Sequence, residues 1–500
     1  MADDKLQNNS GTTPVFESVP ADPSYSTPQP VDLQPEEVPS EVVTPEDAFA
    51  STPSDLPPDD SSPIYEDNRM KYVFIVGGIV IFILIFFFIF KALLGGGGPK
   101  KDVKLTYWGL WEDKEIFDPL IADYQTKNPH VKIDYVKMAP KEYRERLLAR
   151  SQNKQGPDIF RFHNTWLPEI KDVVAQLPSS IMSNDEFEKT FYPIHAKDLK
   201  IGKYYYGIPL EVDGLVLFYN DSLFKKAGIS KAPASWEEVI NDVGNLTVKG
   251  PDGKLITSGI ALGTSSENIE HFSNIFGVIL LQNGGDLKKL NEKSAAEALQ
   301  FYRQFAEDSK ISTWDSSMPN SVTAFAQEKV AMIIAPSWEA LTVKAMNPEI
   351  LLKIAPIPFG PGVTKNVSLA DYWVEGVSKQ SDNQLEAWKF LKFLSEKENM
   401  TKLYEIESKT RRFGEPYSRV DLASKIVQNE YIGVVIRQAQ SDSYYSLPLV
   451  TRTYDNGLND EIVKYIENAI NSTEQGVSYS EALQTAKLGI DQVLAKYQLQ

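Results

Sequence analysis

VKLTYWGLWEDKEIFDPLIADYQTKNPHVKIDYVK, residues 103–137, reads as strand, helix, strand. Val103, Leu105 and Tyr107 alternate with polar residues, the period of two expected of a half-buried strand. Ile116, Phe117, Leu120, Ile121 and Tyr124 then recur at helical spacing, and Val131, Ile133 and Tyr135 alternate once more. A helix near Tyr143–Arg150, a Gly156-Pro157 turn and a strand over Asp158–Phe162 continue the series. Farther along, Leu215–Tyr219 and Val330–Ile334 read as buried strands. Ser235-Trp236-Glu237-Glu238 fits a capping box ahead of Val239, Ile240 and Val243. Leu483, Ala486, Ile490, Val493 and Tyr497 make a final amphipathic stripe. Strands alternating with helices at this spacing predict an α/β body with parallel sheets, and about 400 residues of it predict two lobes.

Upstream the chain changes character. Residues 1–70 hold 12 of the 31 prolines, with 15 acidic and 2 basic side chains, so the net −13 of this tail dominates the −17 of the whole. Such a segment has too little apolar surface to offset the entropy of ordering it, which predicts disorder. Tyr72–Phe90 is an uncharged run of 19 residues, close to the length that spans a bilayer, and predicts one transmembrane helix over 72–94. It lies too far in, and lacks the small-residue site, for a cleaved signal peptide. Gly95–Gly98 opens a flexible linker over 95–102. Arg69 and Lys71 on one flank are matched by Lys91, Lys100 and Lys101 on the other, so charge alone does not orient the span.

Composition excludes several classes of function. The remaining 430 residues carry about −4, no basic face for phosphate, which argues against nucleic acid as a partner. Zero cysteines exclude disulfides, thiolate metal sites and a cysteine nucleophile. Four scattered histidines offer little to a zinc enzyme. No G-x-x-x-x-G-K-[ST], G-x-S-x-G or H-E-x-x-H occurs, so no cofactor, metal or catalytic group is expected.

Ligands in open α/β sheets bind beyond the carboxyl ends of strands. Trp108 and Trp111 follow the first strand, and Trp166 closes His163-Asn164-Thr165-Trp166. Trp338 precedes Glu339 after the Val330 strand, and Trp373 ends Asp371-Tyr372-Trp373. Indoles beside amides and carboxylates suit a pyranose, whose ring faces are apolar and whose edge hydroxyls donate and accept. Glu211 and Asp213, two apart, could be read as a glycosidase pair. On a strand they share one face, whereas that chemistry needs carboxyls on opposite sides of the sugar, so binding is the better reading. Tyrosine runs at Tyr204–Tyr206 and Tyr444-Tyr445 are read as strand residues rather than a ferric site.

Several short stretches, in order, resemble one family. They are Gly156-Pro157-Asp158-Ile159, Gly207-Ile208-Pro209, the run Leu217-Phe218-Tyr219-Asn220-Asp221-Ser222-Leu223-Phe224-Lys225-Lys226-Ala227-Gly228 and Ser235-Trp236-Glu237-Glu238. Asn283-Gly284-Gly285-Asp286, Ala324-Phe325-Ala326-Gln327-Glu328-Lys329-Val330-Ala331-Met332 and Ala387-Trp388-Lys389-Phe390-Leu391 complete the set. From about Val103 to Tyr497 the chain resembles the bacterial extracellular solute-binding proteins of family 1, the maltose-binding-like receptors of ABC sugar importers. Glu328 departs from the family, which often has glycine there.

The resemblance implies a two-lobed, periplasmic-binding-protein-like fold over 103–500, with a hinge and an inter-lobe cleft. One lobe is expected from about 103–210 and 375–430, the other from about 215–365 and 440–500. It implies pocket loops at Trp108–Trp111, His163–Trp166, Glu211–Asp213, Ser337–Glu339 and Asp371–Trp373, with Arg412 and Tyr454 from later segments. It also implies a monomeric receptor for a small solute, most naturally a carbohydrate, working with ABC permease subunits and a separate ATPase. The apolar run would replace the family's usual leader or lipid as tether, with the acidic tail cytoplasmic and the body extracytoplasmic. A glycoside-processing enzyme, a sensor or adhesin, and an aromatic cage for quaternary ammonium are the alternatives.

Overall fold

Val103–Gly109 pairs in parallel with Val131–Lys137 over seven registered residues, and the intervening helix Lys114–Lys127 lays Ile116, Phe117, Leu120, Ile121 and Tyr124 onto the sheet. The computed structural model describes residues 81–83, 85, 86, 101–307, 310–360, 367–446, 451–453 and 456–499. The chain divides between Gly95 and Gly96 into two compact units. In the first, Ile81–Ile83, Ile85 and Phe86 are helical and exposed. The tail 1–70, the rest of the apolar run and Gly95–Gly98 lie outside the described residues. Among the described residues, no helix is long and apolar enough to cross a membrane.

The second unit is built on two five-stranded sheets. One runs in the order Val131–Lys137, Val103–Gly109, Ile159–His163, Trp373–Val377, Ile208–Pro209; the other in the order Leu352–Ala355, Leu215–Asn220, Val330–Pro336, Leu255–Ile260, Val248–Lys249. Both sheets are mixed, which corrects the expectation of parallel ones. Trp373–Val377 runs antiparallel to Ile159–His163, and Leu215–Asn220 runs antiparallel to Val330–Pro336. The reason is topological. Strands native to a lobe, such as Ile159–His163, run toward the cleft, whereas Leu215–Asn220 and Trp373–Val377 have just crossed from the other lobe and run away from it.

The crossings are bonded to one another. The Asp371 N–H donates to the Asp213 carbonyl at 2.9 Å, the Ala370 N–H to the Tyr445 carbonyl at 2.8 Å, and Gly214 bridges Ala370. Ser368–Leu369 also pairs in parallel with Tyr444–Tyr445. Side chains on the two longer crossings alternate. Val212 and Tyr372 turn into the core, both fully buried, while Glu211, Asp213, Asp371 and Trp373 share the opposite face.

Helix boundaries follow local chemistry. The Ser235 hydroxyl accepts the Glu238 N–H at 3.2 Å, as the capping box requires, and the Glu238 carboxylate accepts the Ala234 N–H at 2.6 Å, one residue earlier than the motif's usual return bond. Glu328 sits at φ 58°, left-handed backbone, just past the helix Ser321–Ala326. That conformation favours glycine, which explains the family's preference, and here the Glu328 carboxylate accepts from Asn220 Nδ2 at 3.1 Å.

Gly214 permits the close crossing. A Cβ there would overlap the Leu369 carbonyl oxygen and the Tyr444 ring, neither of which can withdraw without breaking the crossing bonds. Gly214→Ala is therefore expected to destabilise the body by about 1–3 kcal/mol, read as a lowered denaturation midpoint in urea with unchanged slope.

Candidate functional site

Beside the crossings lies a cavity of about 510 Å³, within the ~300–1,000 Å³ typical of small-molecule sites. Eight of the residues singled out from sequence line it: Trp111, His163, Glu211, Asp213, Trp338, Glu339, Asp371 and Trp373. Trp111, half exposed on the loop after the first strand, meets Trp373 edge-on at 5.7 Å. Trp338 and Glu339 open the helix Glu339–Met346, and His271 bonds the Glu339 carboxylate at 3.1 Å through Nε2.

The Trp111 loop is fixed from beneath. Arg161, on the strand Ile159–His163 and nearly fully buried, pairs with Glu112 and donates from Nε to Glu375 at 2.7 Å, while the Tyr135 hydroxyl donates to the Glu112 carbonyl at 2.8 Å. Burial alone would lower the Arg161 pKa, but Glu112 and Glu375 beside it hold the guanidinium well above its ordinary value. Removing a partner from such a buried pair leaves an uncompensated charge, a cost of about 3–5 kcal/mol.

His163 closes a buried chain of hydrogen bonds. Its Nδ1 lies 2.8 Å from the Thr165 hydroxyl and its Nε2 lies 2.7 Å from Asp371. Thr165 in turn accepts from Asn459 Nδ2 at 2.8 Å, and Asn274 Nδ2 reaches Asp371 at 3.4 Å and the Thr451 hydroxyl at 3.0 Å. If Thr165 donates to Nδ1, the Nε2–H is the one that meets Asp371, and the chain reads in one direction. Asp213 accepts from the Gly214 N–H and from the Ser337 N–H and hydroxyl, yet burial outweighs these bonds and pushes its pKa up to about 8.

Other singled-out residues lie off the cavity wall. Trp108 is buried against the helix Tyr143–Gln152, its ring 6.4 Å from Tyr143. Trp166 packs behind Trp373 at 5.3 Å, supporting that ring from the core side. Asn164 and Tyr372 both donate to Asp198, at 3.0 and 2.8 Å, and Ser446 joins them there, so these two tie the crossings together instead of facing the cavity. Arg412 is exposed, and its neighbour Arg411 takes the place at the wall. Tyr454 lies outside the described residues.

Reading from sequence missed Glu270, His271, Asn274, Arg411, Glu415 and Thr451–Thr453, all on the wall. Glu270 and His271 immediately precede the helix Phe272–Gln282, and Asn274 sits in its first turn, a position as exposed to a cleft as a strand end. Arg411 and Glu415 follow the helix Lys397–Thr410. No group of three or more His, Asp or Glu suited to a metal ion occurs among the described residues.

A family model for bacterial extracellular solute-binding proteins matches residues 108–401. The multiple sugar-binding protein of Streptococcus mutans is 23% identical over 304 residues, 58% of this chain and 70% of that one. Among solved structures, the cyclic α-maltosyl-1,6-maltose binding protein of Arthrobacter globiformis superposes with a TM-score of 0.65 at 20% identity, covering 79% of this chain and 100% of the other. The sugar-binding protein MalE of Xanthomonas citri gives 0.64 at 18% identity, covering 79% and 98%.

The raised carboxyls predict the pH dependence of stability. Asp213 and Glu407, the latter also buried, hold their protons in the fold to about pH 8, whereas in the unfolded chain they would lose them near pH ~4. Their contribution is full below that lower value and drains as pH rises through the upper one, by up to about 1.4 kcal/mol per pH unit for each group. The melting temperature should therefore fall from pH 6.5 to pH 9, and Asp213→Asn should flatten that slope in a thermal-denaturation series.

Proposed function

Because the chain belongs to the bacterial extracellular solute-binding protein family, we propose that its body is a saccharide receptor that hands its cargo to an ABC permease whose ATPase is a separate chain. The observation that carries this reading is the wall of the cavity. Trp111, Trp338 and Trp373 converge on it together with the carboxyls of Glu211, Glu339 and Asp371 and the amide of Asn274, from both sheets and from the crossings. Indoles cover the apolar faces of a pyranose, and carboxylates and amides answer its hydroxyls. The sugar-binding names of the Streptococcus and Arthrobacter relatives point the same way.

The proposed mechanism is hinge closure. A saccharide between the lobes contacts both walls only when they approach, so it binds the closed state more tightly and shifts the population toward it. The bonded crossings at Gly214, Ala370 and Tyr445 make the hinge, absorbing rotation in a few backbone dihedrals while the two sheets move as bodies. The apolar run Tyr72–Phe90 supports a tethered receptor, with the acidic tail on the cytoplasmic side and the body outside.

Two expectations test this. A thermal-shift screen of the full-length protein against mono- and oligosaccharides, amino acids and betaines should give a sugar hit; at ~100 times its Kd a ligand adds about 2.7 kcal/mol. Silence from all sugars, with a well-folded protein, overturns the reading. With that sugar in hand, Trp338→Ala should weaken binding by about 1–3 kcal/mol at nearly unchanged melting temperature. Trp166→Ala, in the core behind the site, should instead cost about 3–5 kcal/mol of stability.

A further inference from the structure

On the saccharide-receptor reading above, we propose that the cargo carries a protonated amine, as an amino sugar does, and that Glu211 and Glu415 receive it. The cavity wall is richer in carboxyls than in cations. Among the described residues it presents six carboxyls, Glu211, Asp213, Glu270, Glu339, Asp371 and Glu415, against the guanidiniums of Arg411 and Arg452. With Asp213 and one of the Glu211–Glu415 pair protonated at pH 7, four carboxylates still face those two guanidiniums. Three indole rings on the same wall attract cations through their faces. Such a wall repels uronates and sugar phosphates.

Two of these carboxyls stand together. The Val212 N–H donates to the Pro416 carbonyl at 2.9 Å and Glu211 bridges Tyr417, which sets Glu211 beside Glu415 with their carboxyls hydrogen-bonded to each other. The guanidiniums of Arg411 and Arg161 are already shared. Arg411 lies 2.8 Å from Glu415 and 3.1 Å from Glu407, and Arg161, deeper, serves Glu112 and Glu375. Even with Glu407 protonated, four carboxyls, Glu112, Glu375, Glu415 and Glu211, share two guanidiniums; Glu211 has the Trp373 N–H, at 2.7 Å, and its neighbour's carboxyl, and feels Arg161 without pairing with it.

Two carboxyls in contact hold one proton between them. Burial, and then Glu415 beside it, push Glu211 well above the carboxylate range. Burial would raise Glu415 as well, but Arg411 and the hydrogen bond from Glu211 hold it low. An ammonium entering the cavity supplies the missing cation, and the shared proton leaves to solvent, one per ligand bound. A neutral sugar displaces nothing.

Isothermal titration of the full-length protein reads this directly, using glucose with glucosamine, and cellobiose with diacetylchitobiose and the free β-1,4 glucosamine disaccharide, plus glucuronate. In buffers of different ionisation heat at pH 7, the amine of each set should bind at least tenfold more tightly than its hydroxyl or acetamide partner and release about one proton. Glu415→Gln and, separately, Glu211→Gln should collapse that ratio toward one. Neutral sugars binding as tightly as amines, or glucuronate binding more tightly, overturns the amine assignment and leaves the saccharide reading standing. No binding by any sugar overturns that reading, and the assignment with it.

Discussion

Where the chain passes between its two sheets, the stretch 368–372 is hydrogen-bonded on one side to 213–214 and on the other to 443–445. The crossings through Asp213 and Asp371 set the face on which Glu211, Asp213, Asp371 and Trp373 appear. The approach is possible only because residue 214 has no side chain, and the Asp371 to Asp213 bond locks the two crossings in register. Once that register is set, strand alternation decides the rest: odd residues 211, 213, 371 and 373 meet the cavity while Val212 and Tyr372 enter the core. On the proposed hinge-closure mechanism, this contact would confine relative motion of the lobes to a few dihedrals.

Around this frame the protein keeps charges that packing alone would not favour. Arg161 with Glu112 and Glu375 is buried, and Arg411 with Glu415 is partly buried beside the protonated Glu407. Taking such groups out of water costs several kcal/mol per ion, and apolar residues of similar volume often serve stability as well. Their return here is position. Glu112 anchors the backbone that carries Trp111, and Glu415 meets Glu211 at the wall. Rigid rings and fixed acceptors lose less entropy on binding than mobile ones, so the buried pairs convert stability into preorganisation.

Much of this was legible in the sequence. The run from Val103 to Tyr135 announced its strands and helix by period alone, and the five apolar residues from Ile116 to Tyr124 all reach the core. Trp111, His163, Trp338 and Trp373 were found because they follow or adjoin strand ends, where α/β sheets present side chains to a cleft. What failed was direction. Trp108 and Trp166 have the right neighbourhood but point into covered layers, and Tyr372 lies one residue out of phase with Asp371 and Trp373. Asn274 and Glu415 carry no strand-end signal; only the folded path of distant segments brings them to the wall, and Arg411 was missed by a single position. The mixed sheets escaped for a related reason, since local periodicity does not say which lobe a strand has just left.

On the proposed mechanism, solute draws the two lobes together about the bonded crossings. The chain has no cysteine, so a donor and an acceptor dye can be placed through Lys141→Cys and Ala345→Cys, both exposed and next to the cavity-lining Pro140 and Thr342 of opposite lobes. Single-molecule energy transfer between them, followed as a stabilising saccharide is added, measures the inter-lobe distance directly. Hinge closure predicts two populations, with the short-distance one growing along the binding curve. A saccharide that binds while the distance stays fixed would contradict it.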